Sequence, residues 1–209
     1  MRLTNFGKNG LRSEQLLDIL TNKNNDQYEK YREEICRADL ITLSIGSNDL
    51  LQYLSADMDF QEFEEHGDEI FTKACERFQK NIPQIIDMIH RQAPQAQLFV
   101  NNIYNPCNDI SFDLSEQIDE MAETYIVKMN EGFVSEEVQS VFHSMNSGDV
   151  EKRDEGYELV DVKQAFEQAD EKLINMVISR KEIDPHPNRE GHKRIADEII
   201  PKLSLQKSP

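Results

Sequence analysis

Near the end of the chain the sequence runs Asp184-Pro185-His186-Pro187-Asn188, with Gly191-His192 just beyond. A histidine flanked by prolines stands on a backbone whose neighbours have fixed φ. A carboxylate just upstream is placed to accept the proton of one ring nitrogen, leaving the other nitrogen with a free lone pair. That is what a general base requires. Alone, the stretch reads equally well as a Pro-rich turn ahead of a C-terminal helix, so its meaning depends on what else accompanies it.

Two further polar motifs follow apolar runs. Asn5-Phe6-Gly7-Lys8-Asn9-Gly10 turns after Leu3 to Phe6, and Gly46-Ser47-Asn48-Asp49 turns after Asp39 to Ile45. Glycine lets a backbone N–H approach a ligand closely, and an asparagine side chain carries two N–H donors. The Gly10 N–H and the Asn48 amide together suit an oxyanion hole, where one donor contributes roughly 3–4 kcal/mol of transition-state stabilisation. With His186 as base and Asp184 as its orienting acid, the set lacks only a nucleophile for acyl transfer.

The elements that must position these residues alternate between helix and strand. Leu3 to Phe6 reads as a short strand, and Ser13 to Leu20 as a helix with Ser13 as its N-cap. Gln27 to Arg37 is a second helix. Asp39 to Ile45 is apolar and β-branched, which predicts a strand buried on both faces, as in a parallel sheet. Asp57 to Glu69 holds seven carboxylates in thirteen residues and reads as a solvated excursion. In the helix predicted over Ile70 to Arg91, Phe71, Cys75, Phe78, Ile82, Ile85 and Ile89 form one apolar stripe, and Pro83 is placed to kink it. Gln97 to Ile103 is a strand ending in the turn Tyr104-Asn105-Pro106-Cys107-Asn108. A helix follows from Leu114 to about Met145, then a strand over Tyr157 to Val162, with Phe166 covering the sheet beyond it. Lys172 to Ser179 reads as helix, and Arg189 to Leu203 as the last helix. The polar motifs sit at strand ends, as in an open parallel α/β sheet whose site lies outside the carboxyl ends of its strands.

Composition narrows the partners. The 209 residues suit one domain. A net charge of −17 disfavours nucleic acid and anionic membranes, which require basic surface. No apolar run is long enough to span a bilayer, and residues 1–10 contain no signal-peptide core. Cys36, Cys75 and Cys107 have no metal-type spacing; Cys36 and Cys75 read as small buried apolar residues. His66, His90 and His143 read as exposed, and His192 as structural.

Taken in order, these motifs resemble the SGNH hydrolase superfamily, the GDSL-type esterases and lipases. Gly10 matches the family's glycine block, Gly46-Ser47-Asn48-Asp49 its Gly-x-Asn-Asp block, and Asp184-Pro185-His186-Pro187 its Asp-x-x-His-Pro block. Asn102-Ile103-Tyr104-Asn105-Pro106 resembles the family's strand-to-proline turn. The resemblance spans nearly the whole chain and implies a three-layer α/β/α, flavodoxin-like fold with a parallel sheet. It implies ester hydrolysis (esterase, lipase or acylhydrolase) by a Ser-His-Asp mechanism, with His186 as base, Asp184 as acid, Gly10 and Asn48 in the oxyanion hole, and no metal or organic cofactor. Short acyl esters, acetylated sugars, lysophospholipids and thioesters all suit such a scaffold as small-molecule substrates.

Two departures qualify the match. No Gly-Asp-Ser triplet, the family's nucleophile block, occurs in the sequence. Ser13, Ser44, Ser47, Ser111 and Ser115 read as caps, strand or turn residues, so this chain contains no nucleophile. Asp184 and His186 are also separated by one residue where the family has two, so the ring's orienting partner is Asp184, Glu182 or a backbone carbonyl. The family's first strand lies inside the sheet, between the strand before Gly10 and the strand ending at Gly46. Without it two edges and an apolar slot stay open, and each backbone hydrogen bond in such a ladder contributes roughly 0.5–1.5 kcal/mol. The expectation is an N-terminally incomplete single domain over residues 1–209, missing its first strand and inactive alone. The chain as written would be cytoplasmic, or extracellular or membrane-anchored if a lost N-terminus carried an export signal. The alternative is a non-catalytic remnant or ligand-binding protein on the same fold. Oligomeric state is not legible.

Overall fold

The computed structural model describes residues 2–53, 60–106, 115–136, 138, 157–175 and 184–203. Its α-helices are α1 (Ser13–Thr21), α2 (Tyr28–Cys36), α3 (Ser47–Leu51), α4 (Phe60–Gln92), α5 (Ser115–Glu131), α6 (Val162–Glu167) and α7 (Arg189–Ile199), and its strands are β1 (Leu40–Ser44), β2 (Gln97–Asn101) and β3 (Glu158–Val160). The strands form one parallel sheet in the order β1-β2-β3. Thr42 is opposite Phe99, which is opposite Glu158, so three aligned rows present alternate residues to each face.

On one face Leu43, Leu98 and Val100 pack into the main core with Phe78, Ile82, Ile85 and Ile86 of α4. The α4 stripe read from the sequence is buried throughout, from Phe71 to Ile89. Each such side chain contributes roughly 1.5–3 kcal/mol on burial, which makes α4 the main support of the sheet. On the other face Phe99, Val160, Val162 and Ile199 form a smaller core, with Phe166 and Ile195 against it. Two helical layers thus sandwich the sheet, giving the three-layer α/β/α fold.

The second layer is narrower than the sheet. It covers β2 and β3, while Leu40, Thr42 and Ser44 of β1 remain exposed. β1 is therefore not buried on both faces, contrary to its apolar sequence: α6 and α7 do not reach over it. Among the described residues nothing pairs with the outer edge of β1. Residues 3–6 are not a strand. They join no strand among the described residues, and Leu3 is 84% exposed.

Other boundaries moved for local reasons. The acidic segment is helical from Phe60, because its glutamates sit in the first turns of α4, where negative charge opposes the helix dipole favourably. Arg12, not Ser13, is the N-cap of α1; Arg12 N donates to Gln15 Oε1 at 3.0 Å, and Ser13 turns inward. Residues 172–175 are extended rather than helical, because Ile174 pairs with Pro187 in an antiparallel bridge. Cys36 is exposed, not buried, while Cys75 is buried. His90 is half-buried rather than exposed, and burial lowers its pKa. Glu182, Ser111, Cys107 and His143, with the predicted helix beyond residue 138, lie outside the described residues.

Candidate active site

The C-terminal turn is held from three directions. The Asn188 side chain caps α7, its Oδ1 accepting from the N–H groups of Glu190 and Gly191, both at 2.9 Å. Across the bridge, Asn175 N donates to the His186 carbonyl at 2.8 Å and Asn188 N to the Leu173 carbonyl at 2.9 Å. Gly191 permits this approach: a Cβ there would stand 2.1 Å from the Leu173 carbonyl oxygen. From the sheet, the Tyr104 hydroxyl donates to the Pro185 carbonyl at 2.7 Å. Tyr104 packs on Phe166 at a ring separation of 4.7 Å, and burial pushes its phenol pKa well up, so it remains a donor.

Within this frame His186 Nδ1 lies 2.6 Å from Asp184 Oδ1. The same oxygen accepts from His186 N at 3.1 Å, and Asp184 Oδ2 accepts from Asn175 Nδ2 at 3.0 Å. The short Asp-Pro-His spacing thus brings acid and ring into direct contact. The imidazole and backbone N–H of His186 hold the Asp184 carboxyl below the usual carboxylate range. His186 is 52% exposed, so its ring is open to solvent.

The second cluster lies beyond β1. Gly46 adopts φ +119°, and a Cβ there would fall 2.6 Å from Phe78 and 2.7 Å from Ile103, so no other residue fits this turn. Asn48 Nδ2 donates to the Leu11 carbonyl at 3.2 Å, one residue along the chain from Gly10, which has φ +74° and is exposed. Behind it, Asp49 is 5% exposed and accepts from Ser13 Oγ at 2.6 Å and Ser13 N at 2.9 Å, with Asn81 Nδ2 reaching Ser13 Oγ at 3.1 Å. Burial raises the Asp49 pKa, only partly opposed by these donors. The network locks α1 to α3 and α4 and fixes the Asn48 turn from below.

The two clusters share one end of the sheet. Asn48 follows the carboxyl end of β1, and Tyr104, which holds the histidine turn, follows that of the adjacent parallel β2. Among the described residues no hydrogen bond joins Asn48 to the Asp184–His186 pair, and no serine hydroxyl reaches His186. Ser13 is committed to Asp49, and Ser44 accepts from Asn101 Nδ2 at 2.7 Å. Ser47 borders an apolar cavity lined also by Leu50, Phe71, Ile103, Met121 and Tyr125. Asn105 is buried and donates to Glu123 at 3.3 Å. The described residues include no group of three or more His, Cys, Asp or Glu placed for a metal ion, and no helix long and apolar enough to cross a membrane.

Sequence reasoning passed over Asn175, which belongs to no motif; its neighbours Leu173 and Ile174 gave the only hint, as an apolar pair that need not be helical. The tie from Tyr104 to Pro185 was likewise invisible across 81 positions.

Comparison with known proteins bears on the family and the fold. The sequence is 27% identical over 206 residues to the uncharacterized protein YpmR of Bacillus subtilis (strain 168), covering 98% of this chain and 67% of that protein. Among solved structures it is similar to the lipase Lip_vut3 from a goat rumen metagenome, with a TM-score of 0.64 and 21% identity, covering 96% of this chain and 78% of that one. That likeness concerns the fold. The GDSL-like Lipase/Acylhydrolase family matches residues 1–199. This chain belongs to the GDSL-like lipase/acylhydrolase family of hydrolases.

Proposed function

We propose that this chain carries the base, acid and oxyanion-binding parts of a serine ester hydrolase. His186 Nε2 takes the proton of a serine hydroxyl as its oxygen attacks the ester carbonyl. The Gly10 N–H and the Asn48 amide stabilise the resulting oxyanion. His186 then returns that proton to the departing alcohol as the acyl–serine ester forms, and water releases the acid by the same route. Asp184 orients the ring throughout. The observation that carries this reading is the contact between His186 Nδ1 and Asp184 Oδ1 at 2.6 Å, which directs Nε2 outward as the acceptor.

The nucleophile belongs, in this proposal, to a strand that pairs with the outer edge of β1. The β1 edge has no partner among the described residues, which supports it. Hydrolysis of p-nitrophenyl acetate tests the proposal. The 209-residue chain turns over little, the same chain joined to residues encoded in frame upstream of Met1 turns over, and His186→Ala abolishes that activity. Substantial turnover by the 209-residue chain would disprove the missing-nucleophile reading.

The lack of a Gly-Asp-Ser triplet favours a second reading, a ligand-binding protein that retains the fold without acyl transfer. It predicts that the extended chain also fails to turn over.

A further inference from the structure

We propose that Asn175 is a positioning residue for the Asp184–His186 pair, a role that rests on the reading of His186 as the base. Asp184 is 41% exposed and stands on a short turn, so its own packing does not fix the rotation of its carboxylate. One oxygen is shared by the ring and backbone N–H groups of His186. The other receives the Asn175 amide at 3.0 Å. The carboxylate is therefore held at both ends, and rotation about its Cβ–Cγ bond would break both sets of contacts together.

Asn175 is well placed for this because its backbone belongs to the same structure. Its N–H donates to the His186 carbonyl, and the neighbouring Ile174 pairs with Pro187. The residue bracing the acid is thus registered directly against the residue carrying the base. Its side chain is exposed and makes no other hydrogen bond among the described residues, so packing does not account for an amide there. As a neutral donor it also supports the carboxylate form of Asp184 without competing for the ring.

The consequence is a fixed tautomer. With Oδ1 held toward the ring, neutral His186 carries its proton on Nδ1 and leaves Nε2 as the acceptor. Without the clamp the carboxylate turns more freely toward solvent, and the ring regains a share of the Nε2–H form.

Long-range ¹H–¹⁵N correlation of the imidazole ring reads the tautomer directly and requires no turnover. The native chain is expected to show the Nδ1–H form. Asn175→Ala should shift the ring toward a mixture with Nε2–H, and Asn175→Gln, which restores a carboxamide, should return most of it. Asn175→Asp preserves volume but cannot donate as a carboxylate, so it repeats the loss even if the alanine variant folds poorly. In a catalytically active, nucleophile-bearing form, Asn175→Ala should lower kcat roughly ten- to a hundredfold at nearly unchanged KM. An unchanged tautomer in folded Asn175→Ala or Asn175→Asp overturns the proposal. A shifted tautomer, with no ester hydrolysis even by the form extended upstream of Met1, supports the clamp and removes the hydrolase reading instead.

Discussion

Tyr104 and Pro185 join the end of β2 to the histidine turn through one hydrogen bond of 2.7 Å between residues 81 positions apart. Tyr104 is itself fixed by the turn below it, where Asn130 bonds both the N–H and the carbonyl of Ile103, at 2.8 and 2.9 Å. Tyr104→Phe keeps the packing on Phe166 and removes only the donor. Urea unfolding should then show a loss of about 1 kcal/mol with an unchanged slope. In an active form, kcat should fall more than that loss of stability alone explains.

Three glycines near the site separate backbone conformation from space. Gly46 combines φ +119° with no room for a Cβ, whereas Gly10 has φ +74° and nothing within 4 Å of a Cβ. Gly46→Ala should cost about 3 kcal/mol or more in denaturant midpoint measurements, and Gly10→Ala about 1–2 kcal/mol. Gly191→Ala should resemble Gly46→Ala and also disturb the resonances of residues 173–175, because the clash is with the Leu173 carbonyl.

Asp184 and Asp49 should contribute to stability with opposite pH dependence. The Asp184 pKa is depressed by His186, so the stability of the native chain relative to Asp184→Asn is fully present at neutral pH. It is lost as pH falls through the folded value, below roughly 4. Burial raises the Asp49 pKa above its unfolded value, so the folded state holds that proton more tightly. Relative to Asp49→Asn, the native chain should therefore gain stability as pH falls toward about 4. Chemical denaturation of the three proteins between pH 3 and pH 7 checks both signs.

Thiol chemistry should distinguish the two described cysteines. Burial pushes the Cys75 thiol up to about 11, while Cys36 is exposed. Iodoacetamide at pH 8 followed by peptide mass mapping should find Cys36 modified rapidly and Cys75 only after denaturant is added. Equal rates in the folded protein would show that the α4 core opens readily.

What the sequence made legible was what repeats or clusters. The α4 stripe from Phe71 to Ile89, the turn at Gly46 to Asp49 and the Asp184–His186 pair all stood out because their spacing carries the physics. Contacts that depend on distant partners were not visible. β1 looked buried on both faces because apolar β-branched residues say nothing about how far a covering helix extends. Ser13 looked like a cap because serine favours that position, yet a buried carboxylate 36 residues later claims its hydroxyl. Residues 3–6 had a strand's composition, but a strand also needs a neighbour. The contact between Asp184 and His186 was left open because loop spacing alone does not fix where a carboxylate points.

The open side of β1 bears on how the protein behaves at high concentration. Leu40 to Ser44 includes no charge and no proline, the usual guards against edge-to-edge pairing. Long-range repulsion between copies, each with a net charge of −17, opposes such pairing. Electrolyte weakens that repulsion, which reaches about 10 Å at 0.1 M salt and only about 3 Å at 1 M. Light scattering across a salt series should therefore show particle size rising with added sodium chloride.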